Sequence, residues 1–315
     1  MPRSFLKDTD FTPAEAAGVF ELAARYKKLR SAGVTDILKG QSWGLVFFKK
    51  STRTRLSFEV GVYELGGNPM VINSSDLQIS RGETVPDTAR IMGRYLHGIV
   101  IRTFGQDIVE DFAKYSGLPV VNALTDLLHP CQSYTDIFTM SEYFGGGESD
   151  IDSVKGRKLV FFGDTACNMA YSLALTGSMF GVNVVLCGPE EFKPKPVLDK
   201  LFKDAGIPKN YSFTSNPEEA AKDADVLYTD VWVSMGKEDE KAARIKAMSP
   251  YQVNSKLFKL ASKDAVFMHC LPAHAGEEVS ADVLEGNRSI IFDQAENRLH
   301  VQKAVLGTLA RMNKA

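Results

Sequence analysis

Short apolar runs alternate with stretches of helical spacing along nearly the whole chain, and that alternation constrains the fold more than any other feature. In the first half the runs are Trp43–Phe48, Pro69–Ile72, Gly98–Phe104 and Leu118–Leu124. In the second half they are Lys158–Phe162, Asn183–Cys187, Val226–Trp232, Ala265–Cys270 and Ser289–Phe292. Each is rich in Val, Ile, Leu or Phe and lacks polar alternation. Strands of that kind are central strands of parallel sheets, covered on both faces by helices. The segments between them have helical spacing; in Thr52–Leu65, for instance, Leu56, Val60 and Tyr63 fall on one face. The pattern predicts an α/β protein with two open, doubly wound parallel sheets, four strands in the first and five in the second.

A chain of 315 residues is long enough for two such domains. The only run of three glycines, Gly145-Gly146-Gly147, follows a helical stretch and marks the expected break. It divides the chain into residues 1–144 and 145–296, with a final helical segment, 297–315, that could pack on either domain. The net charge is only −2 with 24% charged residues, which gives no hint of a nucleic-acid or anionic-membrane partner. Any anion site must therefore arise from local clustering. No apolar run approaches the length of a membrane span, and the start reads as neither a secretory signal nor a transit peptide. The four cysteines (Cys131, Cys167, Cys187 and Cys270) are widely spaced with no C-x-x-C. Disulfides and a structural zinc are not expected, and a reducing cytoplasm fits.

In open α/β sheets ligands sit beyond the carboxyl ends of the strands, so the residues after each run matter most. After the first comes Lys49-Lys50-Ser51-Thr52-Arg53-Thr54-Arg55, four cations within seven residues. Ser51 is a good N-cap, and the N–H groups of Thr52 to Thr54 would lack helical partners. Helix start, hydroxyls and guanidinium together suit a phosphate dianion. The bland alternative is a capped helix with a solvated basic first turn, which the helix dipole disfavours. Arg53 and Arg55 point to different sides, so only one can grip the same phosphate. Arg102 ends an apolar strand, where a structural ion pair is the equal alternative. His129 and Gln132, three apart, would face the crevice at a helix start, with Pro130 in the first turn. A lone His is otherwise a satisfied core residue, and a His129–Cys131 nucleophile pair lacks a third member. In the second half Gly163-Asp164-Thr165-Ala166-Cys167-Asn168 is not G-x-G-x-x-G, which disfavours a dinucleotide, and no P-loop motif exists. Asp230, Ser234, Met235 and Gly236 follow a later run. They could close over a small cationic group or form a surface loop.

Together these segments resemble the ornithine carbamoyltransferase family. The resemblance rests on Ser51-Thr52-Arg53-Thr54-Arg55, His129-Pro130-Cys131-Gln132, Asp230-x-x-x-Ser234-Met235-Gly236, His269-Cys270-Leu271-Pro272 and Gln294-Ala295-Glu296-Asn297-Arg298, in the family's order and across essentially the whole chain. It implies an active site in the cleft between the domains, a carbamoyl phosphate domain first and an ornithine domain second. It also implies a last helix that returns to the first domain. By this resemblance Ser51, Thr52, Arg53 and Thr54 hold the phosphate of carbamoyl phosphate. Arg102, His129 and Gln132 hold its carbonyl and amide end. Gln78 reaches in from a neighbouring subunit of a homotrimer or a multiple of one. Asn168, Asp230, Ser234 and Met235 bind ornithine, while Cys270, Leu271 and Arg298 close the site between the substrates. Arg102, His129 and Cys270 are the expected catalytic residues. The implied reaction forms citrulline, a step of arginine biosynthesis, and no metal or other cofactor is expected. Putrescine or an N-acylated ornithine as acceptor, and a non-catalytic α/β binding module, are the competing readings.

Overall fold

In the computed structural model of the chain, which describes residues 1–30, 33–233 and 238–313, the alternation resolves into two parallel sheets. The chain divides into two compact units: Met1–Phe138 with Gly145–Ser149 and Glu296–Ala315, and Thr139–Phe144 with Asp150–Ala295.

The first unit opens with α1 (Pro13–Lys28), started by a capping box in which Thr12 and Glu15 satisfy each other's backbone N–H. Then follow β1 (Ser42–Phe47), α2 (Thr52–Glu64), β2 (Asn68–Asn73), α3 (Val85–Tyr95), β3 (Gly98–Arg102), α4 (Gln106–Ser116), β4 (Val120–Leu124) and α5 (Pro130–Phe144). The strand order is β2-β1-β3-β4, all parallel. Three of the strands are buried on both faces, as the apolar runs require; β2 is an edge strand and only half-buried. A core of Val46, Ala89, Met92, Ile99, Ile101, Val109 and Phe112 packs between sheet and helices.

One helix face differs from the sequence reading. In α2 the buried residues are Thr54, Phe58, Gly61 and Val62, while Leu56 and Tyr63 are more than half exposed. The spacing i, i+4, i+7 was available in both sets. Gly61 decides between them, since a Cβ there would already press on Lys303 at 3.2 Å.

The second unit contains β5 (Lys158–Phe162), α6 (Asn168–Met179), β6 (Asn183–Cys187), α7 (Pro196–Ala205), β7 (Tyr211–Thr214), α8 (Pro217–Ala221), β8 (Val226–Thr229), α9 (Lys241–Met248), α10 (Ser255–Phe258), β9 (Val266–His269) and α11 (Ala281–Leu284). The final helix, α12, runs from Ile291 to Met312. The sheet order is β7-β6-β5-β8-β9, again parallel. Five strands were expected, but one of them is different. Ser289–Phe292 is no strand: Ser289 makes an isolated bridge to Phe267 and the chain then enters α12. The fifth strand is β7, a four-residue edge strand with only partial burial. Its sequence, Tyr-Ser-Phe-Thr, alternates, as one exposed face demands, so a search for unbroken apolar runs passes over it.

Each sheet has one place where the chain reverses its direction of winding. In the first unit β1 has β2 on one side and β3 on the other; in the second, β5 lies between β6 and β8. Such switch points open a crevice at the strands' carboxyl ends. The loops there begin at Phe48 and Thr103 in the first unit, and at Gly163 and Asp230 in the second.

Candidate active site

The segment after β1 folds as expected. Ser51 caps α2, its hydroxyl accepting from the Thr54 N–H at 3.3 Å, and no acidic residue occupies the first turn. A cavity of about 710 Å³ opens here, lined by Phe48, Lys49, Lys50, Ser51, Thr52 and Arg55 together with Asn73, Ser74 and Ser75. Arg55 lines it and Arg53 does not, so the two guanidiniums do diverge. Arg55 also pairs with Glu59 one turn on, at 3.5 Å on an exposed face. Lys49 is taken up by Asp126 and lies 4.4 Å over the Phe104 ring.

A second group in the same unit is buried. Arg102, the last residue of β3, is 8% exposed, His129 5%, Gln132 1%, Thr54 1% and Arg298 3%. The β3–β4 register shifts between Ile101 and Arg102, an irregularity that re-aims the strand end. Pro130 starts α5, and the His129 carbonyl accepts from the Gln132 N–H at 3.0 Å. Arg298, on α12, donates to Gln132 Oε1 at 2.5 Å and to Thr54 Oγ1 at 3.1 Å. Gln302, one turn further, faces the same guanidinium; with its amide turned to satisfy both ends, its oxygen accepts from Arg298 Nη2 at 2.8 Å and Nε at 2.9 Å. Gln132 donates in turn to Asp136 at 2.8 Å. Thr54, Gln132 and Arg298 are thus one hydrogen-bonded group drawn from three helices. Burial, with the Arg298 and Arg102 charges adding to it, holds the His129 imidazole well below its usual pKa. His129 is therefore neutral at physiological pH and can donate one hydrogen bond without bringing a charge. Cys131 is no nucleophile: burial pushes its thiol up to about 12, and its Sγ lies 3.4 Å from the Asn122 carbonyl. Gln78 sits in a short 3₁₀ turn, Gln78–Arg81, with its side chain exposed.

The second unit assembles a smaller group. Cys270 Sγ donates to Asp230 Oδ1 at 3.1 Å, which also accepts from the Val231 N–H at 2.8 Å. Both residues are partly buried and follow the adjacent strands β8 and β9. Leu271 is held in the left-handed region, φ +59°, a costly conformation for a leucine. Its N–H donates to His269 Nδ1 at 2.8 Å, which fixes the tautomer: Nε2 carries the proton and faces Glu278 Oε1 at 3.2 Å. The His269 N–H donates to Gln294 at 2.9 Å, and Gln294 to Tyr228 at 3.1 Å. A chain of buried polar groups so sets the backbone that presents Cys270 and Leu271. Asn168 is the first residue of α6 and partly buried. Ser234 and Met235 lie outside the described residues.

The sequence offered no sign of a ligand cluster among the acidic residues. Among the described residues, two groups nevertheless bring three donor atoms within 4.8 Å: Asp230 with His269 and Cys270, and His274 with Glu277 and Glu278. Within the groups, Cys270 is hydrogen-bonded to Asp230 and the His274 N–H to Glu278, and His269 meets Glu278 of the other group. Sequence reading also gave no role to Asp136 or Gln302. Neither has a motif spacing of its own, and only the fold brings them to Arg298 and Gln132.

The comparisons with known proteins agree with this geometry. Residues 3–142 match the carbamoyl-P binding domain of aspartate/ornithine carbamoyltransferase, and residues 155–309 match the Asp/Orn binding domain. The chain belongs to the aspartate/ornithine carbamoyltransferase family. The ornithine carbamoyltransferase of Syntrophus aciditrophicus is 47% identical over 311 residues, 98% of this chain and 100% of that protein. That of Methanoculleus marisnigri is 44% identical over 307 residues, 97% of this chain and 96% of the relative. The solved ornithine carbamoyltransferase of Pyrococcus furiosus superposes with a TM-score of 0.88 at 43% identity, over 97% of this chain and 96% of that one.

Proposed function

We propose that this chain is an ornithine carbamoyltransferase, which transfers the carbamoyl group of carbamoyl phosphate to the δ-amine of L-ornithine and releases L-citrulline and phosphate. The observation that carries this reading is the buried group of Thr54, Gln132 and Arg298 beside Arg102 and the neutral His129. Nearly full-length similarity to proteins named for that reaction supports it.

The roles follow from charge. Ser51, Thr52, Arg53 and Thr54 hold the phosphate at the start of α2, where backbone N–H groups and the helix dipole favour an anion. Arg55 is the competing phosphate ligand, because it lines the cavity there. Arg102, His129 and Gln132 hold the carbamoyl end, and Arg298 orders Thr54 and Gln132 as it approaches the same group. In the second unit Asp230 pairs with the α-ammonium of ornithine, Asn168 serves the α-carboxylate, and Cys270 orients the attacking amine. Ser234 and Met235 complete the acceptor set by resemblance.

The free amine attacks the carbonyl carbon, and the carbonyl π pair moves onto oxygen. Arg102, His129 and the Thr54 hydroxyl stabilise that growing charge. The tetrahedral intermediate collapses, the bond to the phosphate oxygen breaks, and phosphate leaves with its electron pair. The proton lost by the amine goes to the departing phosphate, so no separate base is needed. Orientation supplies much of the acceleration. A neutral imidazole suits this site, since a third buried cation beside Arg102 and Arg298 would cost free energy.

The working unit is a homotrimer or a multiple of one, in which Gln78 completes a neighbour's donor site; the exposed Gln78 and the exposed apolar Leu56 and Tyr63 on α2 support this. Four free thiols suit a reducing cytoplasm, and we assign the reaction to arginine biosynthesis. A citrulline-formation assay with carbamoyl phosphate and a panel of amines tests the reading. Ornithine should exceed putrescine, N-acetylornithine and aspartate by at least about a hundredfold in kcat/KM. Equal use of any of these would sink the acceptor assignment.

A further inference from the structure

Arg244, on α9, is 3% exposed and belongs to no motif that singled out the site. Its guanidinium engages three different segments of the second unit. Nε donates to the Trp232 carbonyl at 2.8 Å, Nη2 forms a close ion pair with Asp164, and Nη1 reaches Glu240 at 3.2 Å. Its planar face lies 4.7 Å over the Phe192 ring. Arginine alone among side chains can do all of this at once, because its donors are fixed in a rigid fork and its face is free to stack.

Two of these contacts fall where the acceptor residues are set. Asp164 follows β5, and its other oxygen accepts from the Ala166 N–H at 3.0 Å, shaping the turn that delivers Asn168 to the start of α6. Trp232 stands two residues after Asp230, in the turn that leaves β8. The two turns are adjacent, because β5 and β8 are paired. They also lie close together: Gly163 has φ +119°, and a Cβ there would meet the Trp232 ring at 3.2 Å. A buried arginine that lost one partner would leave an uncompensated charge, so the arrangement is held as a unit.

We propose that Arg244 is a positioning residue for the amine acceptor, locking the Asp164–Asn168 turn and the Asp230–Trp232 turn into one register without touching substrate itself. This deepens the functional reading given above and rests on it. The residue acts through backbone, so it governs how Asn168 and Asp230 face the acceptor while leaving the donor residues of the first unit alone.

The test compares Arg244→Lys, Arg244→Gln and Asp164→Asn with the wild-type protein, using whichever amine the wild type accepts. Arg244→Lys keeps the charge but loses the fork. It should raise acceptor KM by about twentyfold or more, with kcat within about fivefold and carbamoyl phosphate affinity, measured by calorimetry, within about twofold. Asp164→Asn breaks the same clamp from the other side and should raise acceptor KM by about fivefold. A merely structural role would lower kcat in step with the folded fraction and leave acceptor KM unchanged, and that pattern would overturn the proposal. Should the Arg244 variants fail to fold, an unchanged acceptor KM in Asp164→Asn would overturn it too. Failure of the functional reading shows separately, as absence of ornithine turnover by the wild type.

Discussion

The two units solve the same topological problem with opposite electrostatics. Both are parallel sheets with a switch point, and both place their notable residues just beyond the strands there. In the first unit those residues are cationic or neutral donors, Arg53, Arg55, Arg102 and His129, joined by Arg298 from α12. In the second they are a carboxylate, a thiol and an amide, Asp230, Cys270 and Asn168, and the one buried guanidinium nearby, Arg244, is consumed by Asp164. A nearly neutral chain can therefore still gather cations at the strand ends of one unit and a carboxylate, a thiol and an amide at those of the other. What differs is the material at the strand ends, not the fold.

The largest break in that comparison should come from Arg53. Arg53→Ala should lower kcat/KM by about a thousandfold or more, through lost carbamoyl phosphate binding, with Tm barely moved, if the residue makes the charge-assisted phosphate contact proposed for it. Arg55→Ala is the control. If calorimetry finds the donor weakened by Arg55→Ala and not by Arg53→Ala, the phosphate lies on the other side of α2.

Asp230→Asn addresses the opposite unit. Ornithine kcat/KM should fall by about a hundredfold, while carbamoyl phosphate affinity stays within about twofold. Comparable weakening of both substrates would erase the division of labour.

Subunit mixing sharpens the contrast further. Gln78→Ala and Arg102→Ala should each be inactive, and exchange between them should recover a fraction of wild-type turnover, since some sites then receive both native residues. Demonstrated exchange with no recovered activity would mean that each donor site is built from a single chain.

The smallest effects concern the two buried imidazoles of the first unit. His129 should keep the chemical shifts of a neutral ring through the pH range in which an ordinary histidine takes up its proton, read from spectra of histidine-labelled protein, because burial and two guanidiniums hold its pKa down. His300 is lowered to about 4, chiefly by burial. Since its folded-state pKa lies below the unfolded value of about 6.5, its contribution to stability is complete above that pH and is lost as the pH falls toward 4. His300→Gln should flatten this acid limb of Tm by a few degrees; an unchanged limb would mean that other groups set it.

Much of this was legible in the sequence because burial on both faces leaves an unmistakable apolar run, as at Val46 and Val160. The edge strand β7 was not, since a half-exposed strand alternates and four residues are too few to show it. The basic loop after β1 could be read from its composition, and the N-cap at Ser51 from its position. The choice between Arg53 and Arg55 could not, because it depends on where the helix faces. Arg244 was invisible for a related reason: its partners, Asp164 and Trp232, lie 80 and 12 residues away and meet only through the pairing of β5 with β8.

The reach of Arg298 back to Thr54 spans 244 positions, and it imposes an order of events during synthesis. The Ser51 loop, β3 and the start of α5 emerge from the ribosome early and can fold around their own core. Their buried hydroxyl and amide, however, wait for a guanidinium encoded 244 codons after Thr54. At roughly 5–20 residues added per second, that delay lasts on the order of ten seconds or more. Asn313, whose side chain takes the Arg3 N–H at 2.7 Å, arrives later still. A nascent chain halted before α12 would hold the Ser51–Thr54 segment without the guanidinium that bonds to it. The buried group of Thr54, Gln132 and Arg298 is thus begun first and finished last, and translation itself withholds it until the second unit has already been made.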